Sequence, residues 1–257
     1  REREREMEDV ISDSPPPSRF FPEDLDNFAS PKPPLPPPFL LFSDQKPKLR
    51  PSLLVLAVSP ASRALVHRLR HKAPVGALFL PDLPLAGNSL EPSPRDSGCS
   101  IYAASGDTFL VSFQYPAAAE RARSVAKKLV GEISPERVLV LDSVRSGGFR
   151  GRLSADEALA FKLETSEQSA AGGGSTPALR SVPYFPTGSV ADGLGAAVLA
   201  ECQMRKLKGT LCLTWPEAGG PSVAALLGSV LRDIPPGLGP PSDDGVRVSI
   251  VDSDLYV

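Results

Sequence analysis

The sequence predicts an α/β domain, a three-layer sandwich with helices on both faces of a largely parallel central sheet, and three observations carry that prediction. Continuous apolar runs at Leu53–Val58 and Val138–Leu141 have the pattern of strands covered on both faces. Segments with helical period, Ala117–Val130 and Asp192–Lys206, alternate with such runs, as they do where parallel strands are joined by crossover helices. With 257 residues, 41% of them hydrophobic, the chain is long and apolar enough to bury one sizeable core.

The elements follow in order. Three Arg-Glu repeats precede Met7, which is expected to be the true start. From Ser12 to about Pro51 the chain is packed with proline, as in Pro15-Pro16-Pro17 and Lys32–Pro38, and lacks any sustained period, so residues 1–51 are expected to be a disordered, polyproline-like leader. Phe20-Phe21 and Phe39–Phe42 are the aromatic spots able to pin it to the domain. The domain is expected over 52–250. Leu53–Val58 opens it as a strand, and Pro60-Ala61-Ser62 starts a helix carrying Leu65, Val66 and Leu69. Val75–Leu80 reads as a strand, Ser100–Ala103 with Phe109–Tyr115 as a hairpin pair, and Ala117–Val130 as a helix with Ala118, Ala122, Val125 and Leu129 along one face. Val138–Leu141 is a further buried strand and Gly172–Gly174 a surface loop. The helix Asp192–Lys206 feeds the strand Thr210–Trp215, and a last helix, Ser222–Arg232, leads into the Pro/Gly-rich stretch 235–241. Val246, Val248 and Ile250 alternate with polar residues as a strand does, leaving 251–257 as an extended tail.

Chemistry-bearing motifs are sparse. His67 and His71 stand i and i+4, a spacing able to hold a metal, but Arg63, Arg68, Arg70 and Lys72 surround them, which favours a solvated basic face. Gly193-Leu194-Gly195 begins like a dinucleotide fingerprint, yet Val198 stands where the third glycine belongs, so a packed helix N-terminus with Asp192 near the cap is expected. Arg145–Arg152 resembles a single short Arg-Gly patch and is read as a loop at the end of a strand. No nucleophile elbow occurs, and the carboxylates are scattered. No catalytic residue, no metal and no cofactor is expected, which leaves binding as the leading class. The net charge of −2 excludes the electrostatic footprint of a general nucleic-acid binder, and the longest apolar run is too short to span a bilayer, so neither nucleic acid nor membrane is expected as a partner. Cys99, Cys202 and Cys212 have neither framework nor zinc spacing, which fits a reduced compartment, the cytoplasm with the nucleus.

The tail supplies the candidate site. Leu255 is an apolar anchor, Tyr256 a flat ring with a hydroxyl at its edge, and Val257 carries a carboxylate able to pair with a lysine in a receptor pocket. Together with the run Asp192–Trp215, DGLGAAVLAECQMRKLKGTLCLTW, this tail resembles the proteasome assembly chaperone 1 family, as a plant-like member of it. The likeness runs more weakly from Leu53 through the Val138 strand to the end. It implies a phosphorylase-like α/β sandwich without enzyme chemistry, pairing with proteasome assembly chaperone 2 and sitting on the proteasome α-ring. It also implies that Leu255, Tyr256 and Val257 enter a pocket between adjacent α subunits. From Asp252, six extended residues span up to about 20 Å, enough to enter such a pocket. Two alternatives remain at this point: a small-molecule enzyme of nucleoside-phosphorylase type, and a regulator binding the mature proteasome through the same tail.

Overall fold

The computed structural model describes residues 35–43, 50–69, 71–81, 98–104, 107–115, 117–154, 157–172 and 177–232. All secondary structure described lies in the unit that begins at Pro36. Strands β1 (Phe39–Phe42), β2 (Leu53–Ala57), β3 (Lys72–Phe79), β4 (Cys99–Ala104), β5 (Thr108–Phe113), β6 (Arg137–Ser143), β7 (Leu159–Glu164) and β8 (Lys208–Trp215) form one sheet in the order β1-β3-β4-β5-β2-β6-β8-β7. The helices are α1 (Pro60–Arg68), α2 (Ala119–Ile133), α3 (Ser166–Ala170), α4 (Pro177–Ser181), α5 (Gly193–Met204) and α6 (Pro221–Arg232).

Parallel pairing is confined to the centre, where β5, β2, β6 and β8 run together; the pairs β1/β3, β3/β4, β4/β5 and β7/β8 are antiparallel. The expected largely parallel sheet is thus a mixed one. The physical reason is plain at β4/β5: their link is too short for a crossover, and Asp107 turns it with a φ of 58°, so the strands can only fold back on each other.

Alternation along the central strands divides the core in two. Leu54, Leu56, Val138, Val140, Leu211 and Leu213 face Val125, Leu129 and Ile133 of α2 and Leu194, Val198 and Cys202 of α5. Their neighbours Leu53, Val55, Ala57, Leu139, Leu141 and Cys212 face Leu65 and Val66 of α1 and Val223, Leu227 and Val230 of α6. Helices therefore cover both faces, as a three-layer sandwich requires. Ser59 caps α1 by accepting the Ser62 N–H, and the Ser62 hydroxyl donates to the Leu141 carbonyl at 3.0 Å, tying the helix to the sheet.

Two stretches depart from expectation. Phe39–Phe42, inside the expected leader, is the edge strand β1; Leu40 and Phe42 pack on the core, Phe39 stacks on Phe79 at 5.4 Å, and the Arg121 guanidinium donates to the Pro36 carbonyl. The leader thus stops short of residue 51, because an apolar tetrapeptide beside an open sheet edge gains more by pairing than by solvation. The rest of the leader, residues 1–34 and 44–49, with Phe20-Phe21 in it, the glycines Gly173-Gly174, the stretch 235–241 and the alternating Val246–Ile250 lie outside the described residues. Strand β7 went unanticipated, since Lys162 and Glu164 break its apolar pattern although both side chains are buried.

The outer edge of β7 is covered. The Lys162 N–H donates to the Pro183 carbonyl and the Phe185 N–H to the Lys162 carbonyl, both at 2.9 Å, so residues 183–185 run along it as a strap. Phe185 anchors the strap against Phe161 and Phe149, with ring centroids 5.8 and 5.9 Å away.

Candidate functional site

In open α/β sheets, ligands sit outside the carboxyl ends of the parallel strands. Here that edge is built from the ends of β6 and β8 and the start of α5. Asp142 closes the buried run of β6 and lies under the first turn of α5. Gly195 makes this possible: a Cβ there would stand 2.5 Å from Asp142 Oδ2 and 3.0 Å from Leu211 Cδ1. The backbone N–H groups of Ser143, at 2.8 Å, and of Gly195 donate to the carboxylate. Asp192, at the N-cap of α5, makes no capping bond with its side chain and instead accepts from Arg145 at 3.0 Å. Asp142 thus sets a carboxylate beside the N-terminus of α5, where a backbone N–H and the helix dipole favour negative charge.

Burial pushes Asp142 up to about 6, with Asp192 adding to the rise; the Ser143 and Gly195 N–H groups and Arg145 work against it. The consequence for stability has a definite sign. Because the folded chain holds this proton more tightly than the unfolded one, the group's contribution is fully present below about pH 4 and is lost as pH rises through about 6. Asp142→Asn, which keeps an acceptor and removes the buried charge, is expected to gain stability on the wild type by about 2 kcal/mol between pH 4.5 and 7.5. Urea unfolding at the two pH values checks this, and parallel pH profiles for the two proteins would refute it.

No constellation of nucleophile, base and oxyanion donor converges on this edge among the described residues. Burial raises the pKa of all three thiols, with Cys202 and Cys212 pushed up to about 12, so none is a poised nucleophile. The two histidines do not share a helix face: α1 ends at Arg68, so His67 stands in its last turn and His71 beyond it, both exposed. Leu69 leaves the helical region there, and strand β3 begins at Lys72. Among the described residues no group of three or more His, Cys, Asp or Glu side chains is placed to hold a metal ion, and no helix is long and apolar enough to cross a membrane. Arg145–Arg152 does form the loop after β6, containing a short 3-10 turn at Ser146–Gly148. The tail residues Leu255, Tyr256 and Val257 lie outside the described residues. Asp142 was missed in the sequence reading, although a carboxylate ending an apolar run, ahead of a Gly-X-Gly helix start, is a signal available there.

No protein-family model matches the chain, and no curated protein matches it in sequence. Solved structures do share the fold, among them a described proteasome-assembly chaperone homologue and a described proteasome activator. One is Pyrococcus furiosus PbaA, described as an archaeal homologue of proteasome-assembly chaperone, with a TM-score of 0.55 and 17% identity over 76% of this chain and 86% of that one. Another is Pyrococcus furiosus PbaB, described as an archaeal proteasome activator, with a TM-score of 0.54 and 13% identity over 77% of this chain and 88% of that one. At such identities the likeness establishes the fold.

Proposed function

We propose that this chain is a proteasome assembly chaperone of the chaperone 1 type. In this reading it pairs with proteasome assembly chaperone 2 and binds the proteasome α-ring through its body and the tail Leu255-Tyr256-Val257, in the cytoplasm and nucleus. It is a non-enzyme, a phosphorylase-type sandwich whose chemistry is gone. The single observation that carries the reading is the sharing of one fold with PbaA across three quarters of the chain.

PbaB favours a second reading, since a described proteasome activator has the same fold. A regulator would prefer the mature particle; an assembly factor prefers α-rings not yet closed by β subunits. Pairing comes first in either test of the chaperone reading. Co-expression with the chaperone 2 paralogue is expected to yield a 1:1 complex on size-exclusion chromatography and more soluble protein than expression alone. A chain that stays soluble and monomeric in the paralogue's presence would contradict it.

A further inference from the structure

At the carboxyl edge, the loop after β6 and the approach to α5 are laced together. The Val190 N–H donates to the Gly148 carbonyl at 2.7 Å, the Arg150 N–H to the Ser189 hydroxyl at 2.8 Å, and Arg145 meets Asp192 at 3.0 Å. The approach is so close that a Cβ on residue 148 would stand 2.4 Å from the Val190 carbonyl oxygen. From below, Phe149 fixes the loop, its ring 5.3 Å from that of Phe161. Held this way, Val190 points outward and is 66% exposed, the largest exposure of any large hydrophobic residue described.

Its surroundings are cationic. The Arg150 guanidinium lies along Gly188, and Arg152 is exposed two residues on. Neither has a carboxylate partner among the described residues, and Arg145 already holds Asp192. We propose that Arg150, Arg152 and Val190 form a docking surface for a protein partner presenting carboxylates around an apolar socket. The arginines are suited to bidentate carboxylate pairing, and the exposed valine supplies an apolar contact. A polyanion would gain little here: two uncompensated arginines on a chain of net charge −2 make no extended cationic field, and a nucleic-acid backbone has no use for an exposed valine. The surface deepens the function proposed above and rests on it, the partner then being a proteasome α subunit.

The test uses the full chain with its paralogue and purified α-rings, with poly(U) RNA as a second probe. Val190→Asp and the pair Arg150→Glu/Arg152→Glu alter exposed side chains, so both are expected to melt as the wild type does. Each is expected to weaken α-ring binding at least about tenfold, the charge reversal also flattening its salt dependence. Tyr256→Ala serves as the reference for the wider reading. If the wild type binds, the Tyr256 variant weakens, and both surface variants bind as the wild type does, this inference is overturned while the function stands. If the wild type binds no α-ring, both fall. Poly(U) binding lost on charge reversal, with α-ring binding unchanged, would also overturn it and mark the surface as one for nucleic acid.

Discussion

Tyr256→Ala is expected to lower affinity for the α-ring by roughly 30- to 1,000-fold, the equivalent of about 2–4 kcal/mol for an aromatic anchor lost from a desolvated pocket. In the proposed docking, the ring of Tyr256 fills the slot, Leu255 seals its rim, and the Val257 carboxylate pairs with a lysine. Adding one residue after Val257 moves that carboxylate away from its cation and is expected to weaken binding as well, without removing any apolar surface. In the proposed docking the tail is given to the α-ring and not to the domain, so the melting curve and the pairing with the paralogue are expected to be those of the wild type. Surface-plasmon measurements with the three chains on immobilised α-rings check this; equal affinities would show that the tail is not the anchor.

Lys162→Met is expected to cost about 3–5 kcal/mol of folding stability, the range for breaking a buried ion pair by removing one member. The Lys162 ammonium sits in a side chain only 6% exposed, donates to the Leu179 carbonyl at 3.0 Å, and lies 3.7 Å from Glu164 Oε1 and 4.9 Å from the centre of the Tyr184 ring. Glu164 is 1% exposed, and the Tyr184 hydroxyl donates to it at 2.6 Å. The cation thus joins β7, α4 and the strap over the sheet edge, and methionine can copy its length but none of its bonds. Amide hydrogen exchange over 179–185 should rise along with the loss of stability, because this stretch loses the side-chain tie of Lys162 to Leu179 and Tyr184 and keeps only the backbone bonds to β7. The double variant Lys162→Met/Glu164→Leu removes both charges together and is expected to recover much of the loss. A double variant as unstable as the single one would mean that packing, not charge balance, makes Lys162 necessary.

The centre of the fold was legible because strands buried on both faces leave unbroken apolar runs, as at Leu53–Ala57 and Val138–Leu141, and because α2 has one apolar face. The periphery was less so. In β7 the apolar signal is broken by Lys162 and Glu164, whose burial depends on Tyr184 and Leu179 arriving from elsewhere in the chain. In β1 the surrounding prolines mask a strand that exists only because β3 offers an open edge. The carboxyl-edge surface shows the same limit: Arg150 and Val190 each read as ordinary loop residues until the contact of Gly148 with Val190 brings the two loops together. The tail, by contrast, is a reading of sequence alone, and its test is functional.

The most direct measurement of the central claim is the affinity of the co-expressed pair for purified α-rings beside that for the mature core particle, on one surface and in one buffer. An assembly chaperone is expected to bind α-rings tightly and mature particles at least about tenfold more weakly, the difference of about 1.4 kcal/mol needed for it to leave as assembly completes. Equal or tighter binding to the mature particle would contradict that role and favour a regulator, and binding to neither would contradict the proteasome reading itself.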